Sequence, residues 1–115
     1  MMEYKRGDIV LVNFNPQKKS EEISKIRPAI IISDTQLNEI LDLVSVVALT
    51  TNLIDNAEPL RVRISKKEFL KQDSDAMIEQ LGSVSKSRIG EKIASLDENE
   101  LLKIEYGIKA MLALV

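Results

Sequence analysis

This chain of 115 residues contains no cysteine, no histidine and no tryptophan. Without cysteine there is no disulfide framework and no thiolate metal site. Without histidine there is no histidine general base, no imidazole ligand, and no Ser–His or Cys–His nucleophile pair. Any catalysis falls to Arg, Lys, Glu, Asp, Ser, Thr, Tyr or backbone groups. Magnesium held by carboxylates alone would need a dense Asp/Glu cluster, and the sequence suggests none. Aromatic residues are few: Tyr4, Phe14, Phe69 and Tyr106. No apolar run approaches the ~20 residues that span a bilayer. The stretch Met1 to Gly7 has no apolar segment of signal-peptide type, so a cytoplasmic home is the default expectation.

The composition, 44% hydrophobic and 30% charged, is that of one ordinary globular domain. The net charge of −2 is no argument for nucleic acid, but its distribution is uneven. Residues 59–71 hold five basic residues against one acid, and Lys86, Arg88 and Lys92 follow against Glu91. Asp97, Glu98, Glu100 and Glu105 then stand against Lys103. A basic middle and an acidic tail fit either a basic groove on an acidic protein or ordinary solvated faces.

Asp8 to Phe14 reads as a strand with two mostly apolar faces, hence a central one. Asn15-Pro16 ends it, and the polar residues 17–26 form a loop long enough to suggest function. Ala29 to Ser33 and Leu43 to Leu49 are further strands, with a short helix between them in Asp34 to Leu41. Leu60 to Ile64 alternates, with Leu60, Val62 and Ile64 inward and Arg61 and Arg63 outward. Ser65 to Leu70 fits one helical turn. Ala76 to Leu81, Ser83-Val84 and Ile89 to Ala94 are short strand candidates. Asp97 to Glu100 is a capping box that opens a helix whose apolar stripe runs from Leu101 to Val115. The expected fold is mainly β with a C-terminal helix, a small barrel with the helix docked at one side.

The segment Lys25-Ile26-Arg27-Pro28 followed by Ala29 to Ser33 carries the most chemistry. Pro28 restricts Arg27 to extended geometry and is tolerated at the first position of a strand. The Arg27 guanidinium is then held stiffly beside the core, always charged and able to give paired hydrogen bonds to phosphate. The same pattern also fits a plain surface arginine.

Five segments, in this order, resemble the MazF/PemK family of toxin endoribonucleases. They are Lys5 to Val10, Lys25 to Ser33, Val46 to Thr51, Asp73-Ser74 with Glu79-Gln80, and Ser85 to Ile89. The resemblance implies a small SH3-like barrel of CcdB/PemK type in a homodimer, with single-stranded RNA across the dimer groove. It implies cleavage at short sequences without a metal or other cofactor, an antitoxin partner that blocks the groove, and DNA binding by the toxin–antitoxin complex. Arg27 and Thr50 match the catalytic pair, Glu22 a loop glutamate, and Glu79 and Gln80 an acidic-amide pair. Gly82 departs from the family, many members of which carry a basic residue there.

RNA supplies its own nucleophile, the 2′-hydroxyl, so alignment and charge stabilisation are the protein's main tasks. Arg27 suits charge stabilisation, and Thr50 suits a hydrogen bond to a non-bridging oxygen or to the 2′-hydroxyl. Glu22 is the first candidate for proton acceptor and Glu79 the second. Phe14 could stack on a base, and Asn15, Gln17 and Gln80 could bond base edges. Lys25, Lys86 and Arg88 complete the expected RNA surface. Two alternatives stand beside this reading: a CcdB-like toxin that binds gyrase, and an inactive barrel that binds RNA or antitoxin.

Overall fold

The computed structural model describes residues 3–14 and 26–114. Asn15, Gln17, Glu22 and Lys25 therefore lie outside the described residues. Seven strands and two α-helices form among them: β1 Asp8–Asn13, β2 Ile26–Ile31, α1 Thr35–Ile40, β3 Leu43–Thr50, β4 Arg61–Ile64, β5 Ser74–Met77, β6 Gly82–Ser85, β7 Ile89–Ser95 and α2 Glu98–Met111. The antiparallel sheet runs β4-β5-β3-β2-β1-β7, with β6 paired to the first half of β3. No helix among the described residues is long and apolar enough to cross a membrane.

Both faces of the central strands are covered, which is why β1 is apolar on both. Ile9, Ile30, Val47, Val62, Ile64 and Ile78 form one cluster with Ile104 of α2. Val10, Val12, Ala29, Ile31, Val46 and Ile89 form the other. Asp97 caps α2, accepting from Glu100 N–H at 2.7 Å while the Glu100 carboxylate accepts from Asp97 N–H at 3.0 Å. The helical stripe then buries Ile104 and half-buries Leu101, Ile108 and Met111, but leaves Leu112 exposed.

Four local expectations change. Strand β2 starts at Ile26, so Pro28 is its third residue. The β2–β3 ladder reaches only to Ala29↔Ala48, so Pro28, which has no N–H to give, stands just beyond its end. Ser65 to Leu70 is not helical: Lys67 and Leu70 exchange backbone hydrogen bonds around a tip at Glu68. That turn buries Leu70 and lets Phe69 N–H reach the Ile93 carbonyl at 3.0 Å, tying this segment to β7. Leu60 is exposed because it still belongs to the turn before β4, its N–H donating to Ala57. The strand expected from Ala76 stops at Met77 and gives way to a 3-10 turn, Ile78–Gln80. Ile78 is fully buried there, with its N–H on the Leu60 carbonyl.

Gly107 decides how closely α2 approaches the sheet. A Cβ at this position would lie 2.4 Å from the Pro59 carbonyl oxygen and 3.2 Å from Ile78 Cγ1. Alanine would gain about 1 kcal/mol in helix propensity. The clash is with backbone, however, and overpacking of this kind costs about 1–3 kcal/mol. Gly107→Ala is expected to lower the urea midpoint; a raised midpoint would show that the α2 contact yields freely.

Candidate active site

Sheet register puts Arg27 and Thr50 at the same end of β2 and β3. The pairs Ala29↔Ala48 and Ile31↔Val46 fix β2 against β3. Arg27 is two residues beyond Ala29 and Thr50 two beyond Ala48, so strand alternation puts both on the face of that last pair, past the end of the ladder. On the outer side Arg27 pairs with Val12, and Val12 with Ile89. On the inner side Thr50 pairs with Asp75, and Asp75 with Arg63. Two paired sets therefore stand at one end of the sheet, Val12 with Arg27 and Thr50 with Asp75 and Arg63.

The arginines of this chain differ in what they hold. Arg6 meets Glu105 at 2.6 Å, Arg61 meets Glu79 at 3.3 Å, and Arg63 meets Asp75 at 2.6 Å and Asp55 at 2.8 Å. Among the described residues no carboxylate pairs with half-buried Arg27. Its guanidinium keeps its charge and donors for an incoming anion. The Thr50 hydroxyl accepts from Asn52 N–H at 3.1 Å, which fixes its lone pair and leaves its hydrogen to donate elsewhere.

Asp75 is the carboxylate paired with Thr50 in the ladder. Burial raises its pKa. The Arg63 hydrogen bond, the Ile54 N–H bond and the charges of Arg63 and Arg61 outweigh that and hold it below the ordinary carboxylate range. Its bonds to Asp75 and Asp55 push the Arg63 guanidinium further above its ordinary value. A carboxylate so stabilised as the anion is a weak proton acceptor.

The other expected residues divide by position. Phe14 follows the end of β1 and packs partly on the second cluster. Arg88, with Asn13 and Ile26, lines a groove of about 310 Å³ at the same end of the sheet. Glu79 and Gln80 sit in the 3-10 turn, exposed, with Glu79 engaged by Arg61. Arg61 is two residues from Arg63 along β4, so this pair stands ~7 Å along the strand from Arg63. Lys86 lies near the start of β3, at the end remote from Thr50. Its N–H donates to the Asp42 carbonyl, and its ammonium is 5.2 Å from the Tyr4 ring centroid.

The sequence reading passed over Asp75 as a site residue. The signal was available as a carboxylate inside a short buried strand facing the outward arginines of β4, but pairing β4 with β5 requires the fold.

The fold is one antiparallel sheet with a docked C-terminal helix. The chain matches the family model of the PemK-like, MazF-like toxins of type II toxin–antitoxin systems over residues 5–112. It is 31% identical over 111 residues to the endoribonuclease MazF of Staphylococcus epidermidis, covering 96% of this chain and 92% of that protein. Among solved structures, MazF from Deinococcus radiodurans superposes with a TM-score of 0.78 at 21% identity, covering 98% of this chain and 99% of that one. A mycobacterial endoribonuclease in complex with its cognate antitoxin gives 0.77 at 18% identity, covering 96% of each chain. At these identities the structures establish the fold. The chain belongs to the PemK-like, MazF-like toxin family, and its activity class is endoribonuclease.

Proposed function

We propose that this chain cleaves single-stranded RNA at a preferred short sequence by in-line attack of the 2′-hydroxyl on the adjacent phosphorus. The phosphorus–oxygen bond to the 5′-oxygen breaks, that oxygen takes a proton from the Arg27 guanidinium, which solvent then restores, and a 2′,3′-cyclic phosphate and a 5′-hydroxyl end are left. The observation that supports this reading is that Arg27, with no carboxylate partner among the described residues, lies at the same end of the sheet as Thr50. Arg27 stabilises the phosphorane charge, and Thr50 donates to a non-bridging oxygen or orients the 2′-hydroxyl. Glu22, which matches the family's loop glutamate, takes the proton, with Glu79 the second candidate. Arg88, Phe14, Asn15, Gln17 and Lys25 contact the neighbouring nucleotides, and Glu79, Gln80 and Lys86 meet RNA farther along the face.

The active form in this reading is a cytoplasmic homodimer whose groove also receives the antitoxin, and the toxin–antitoxin complex binds DNA. Relatives named as MazE–MazF complexes from Deinococcus radiodurans support a protein partner. A gyrase-binding role lacks a use for Arg27 and Thr50.

The reaction needs no divalent metal, since the sugar supplies the nucleophile and Arg27 the charge. Incubation of the purified protein with single-stranded RNA in EDTA is expected to give full cleavage. Loss of cleavage in EDTA with recovery in magnesium or manganese would overturn the mechanism. Binding without cleavage under all conditions would support the inactive barrel.

A further inference from the structure

We propose that Asp75 is a positioning residue: with Arg63 it pins the loop that follows Thr50 and so sets the reach of the Thr50 hydroxyl. This inference rests on the proposed ribonuclease function of the same site.

The loop between β3 and β4 has little apolar anchorage. Every residue from Thr51 to Asn56 is exposed, including Leu53 and Ile54. Burial cannot hold such a segment in one conformation, so polar bonds must. Asp75, 1% exposed, supplies them with both oxygens. Its Oδ2 accepts from Ile54 N–H at 2.8 Å, and its Oδ1 accepts from Arg63 Nε at 2.6 Å. The other arm of Arg63 donates to Asp55 Oδ1 at 2.8 Å. Two successive loop residues are thereby fastened to β5 and β4. The Asn52 N–H that fixes the Thr50 oxygen lies within the same short span. Asp75 is also the ladder partner of Thr50 itself. One buried carboxylate thus holds the loop on which the Thr50 hydrogen bond depends.

An alternative use of these arginines, direct phosphate binding, is disfavoured by charge. The cavity of about 290 Å³ beside them is lined by Arg61 and Arg63 against Asp55, Glu58 and Asp75. Three acids against two bases repel a phosphate. Arg63 is neutralised on both arms and serves the loop.

The test compares Asp75→Val, Asp75→Asn and the double variant Asp75→Val/Arg63→Gln with the wild-type chain. The double variant leaves no unpaired guanidinium if the single one folds poorly. Single-turnover cleavage, affinity for RNA with deoxyribose at the cut position, and amide exchange at Ile54 are measured. Asp75→Val and the double variant are expected to cleave about 10- to 100-fold more slowly, as misplacement of a reacting group implies. Affinity should stay within about threefold, because the phosphate contacts are unchanged. Exchange at Ile54 should rise about tenfold or more while α2 amides keep their protection. Asp75→Asn, which retains an acceptor for Ile54 N–H, should recover much of the rate. Cleavage within about twofold of wild type, a loss wholly in affinity, or unchanged Ile54 exchange would overturn the proposal. If the wild-type protein itself cuts no RNA, the ribonuclease reading fails, and the exchange arm alone decides whether Asp75 pins the loop.

Discussion

Purified Arg27→Ala protein is expected to lose RNA cleavage by roughly 10²–10³-fold, the worth of one charge-stabilising transition-state contact. Its fold should survive. Arg27 has no carboxylate partner among the described residues, so its removal strands no buried charge, and its Cβ remains for the strand. The contrast with Arg6 and Arg63 makes the test specific. Loss of Arg6 would strand Glu105, and loss of Arg63 would strand buried Asp75. Arg27→Lys should fall between wild type and alanine, because it keeps the charge but loses the paired planar donors. Initial rates on a short RNA, with circular dichroism and urea unfolding as controls, decide the matter. Near wild-type cleavage by a folded Arg27→Ala protein would remove Arg27 from the mechanism.

The second large effect belongs to the substrate. Deoxyribose in place of the single ribose 5′ to the cut is expected to stop cleavage at that bond while leaving binding nearly unchanged. The chain has no histidine and no cysteine to activate a side-chain nucleophile. The sugar hydroxyl beside the phosphate is the remaining strong nucleophile, and holding it in line contributes a large share of the rate. Affinity comes mainly from phosphates, which the substitution leaves intact. The wild-type products should carry a 5′-hydroxyl that a kinase labels without prior phosphatase. Cleavage of the deoxy-substituted RNA at the same bond, or products with 5′-phosphate, would mean that water or a side chain attacks.

Much of the architecture was legible before any coordinates. Apolar runs located β1 and β3, alternation located β4, and the Asp97–Glu100 box located the start of α2. Helical spacing found Ile104, the buried centre of the α2 stripe. The errors fell where tertiary contacts override local pattern. Lys66 to Leu70 has ordinary helix formers, yet Leu70 is drawn into the core and Phe69 N–H to β7, so the chain reverses. Ile78 continues an apparent strand, but its place under α2 and its bond to Leu60 require a tight turn.

The sequence by itself determined the chemistry open to this protein. With no histidine or cysteine it excluded imidazole and thiolate chemistry, and it held Arg27 extended before Pro28; the resemblance to the MazF/PemK family is what pointed Arg27 and Thr50 toward a phosphodiester. These are properties of residue types and near neighbours, and local sequence carries them. Only the tertiary structure decided which charges remain free to act. Arg27, Arg61 and Arg63 are alike as residues, and each sits on or beside an apolar strand. The pairing of β4 with β5 brings Asp75 under Arg63, and the turn after Met77 brings Glu79 to Arg61. The register of β2 on β3 leaves Arg27 at the Thr50 end of the sheet with no described carboxylate against it. Strand pairing joins residues distant in the chain, and a charge is neutralised or left available by the neighbour that pairing supplies.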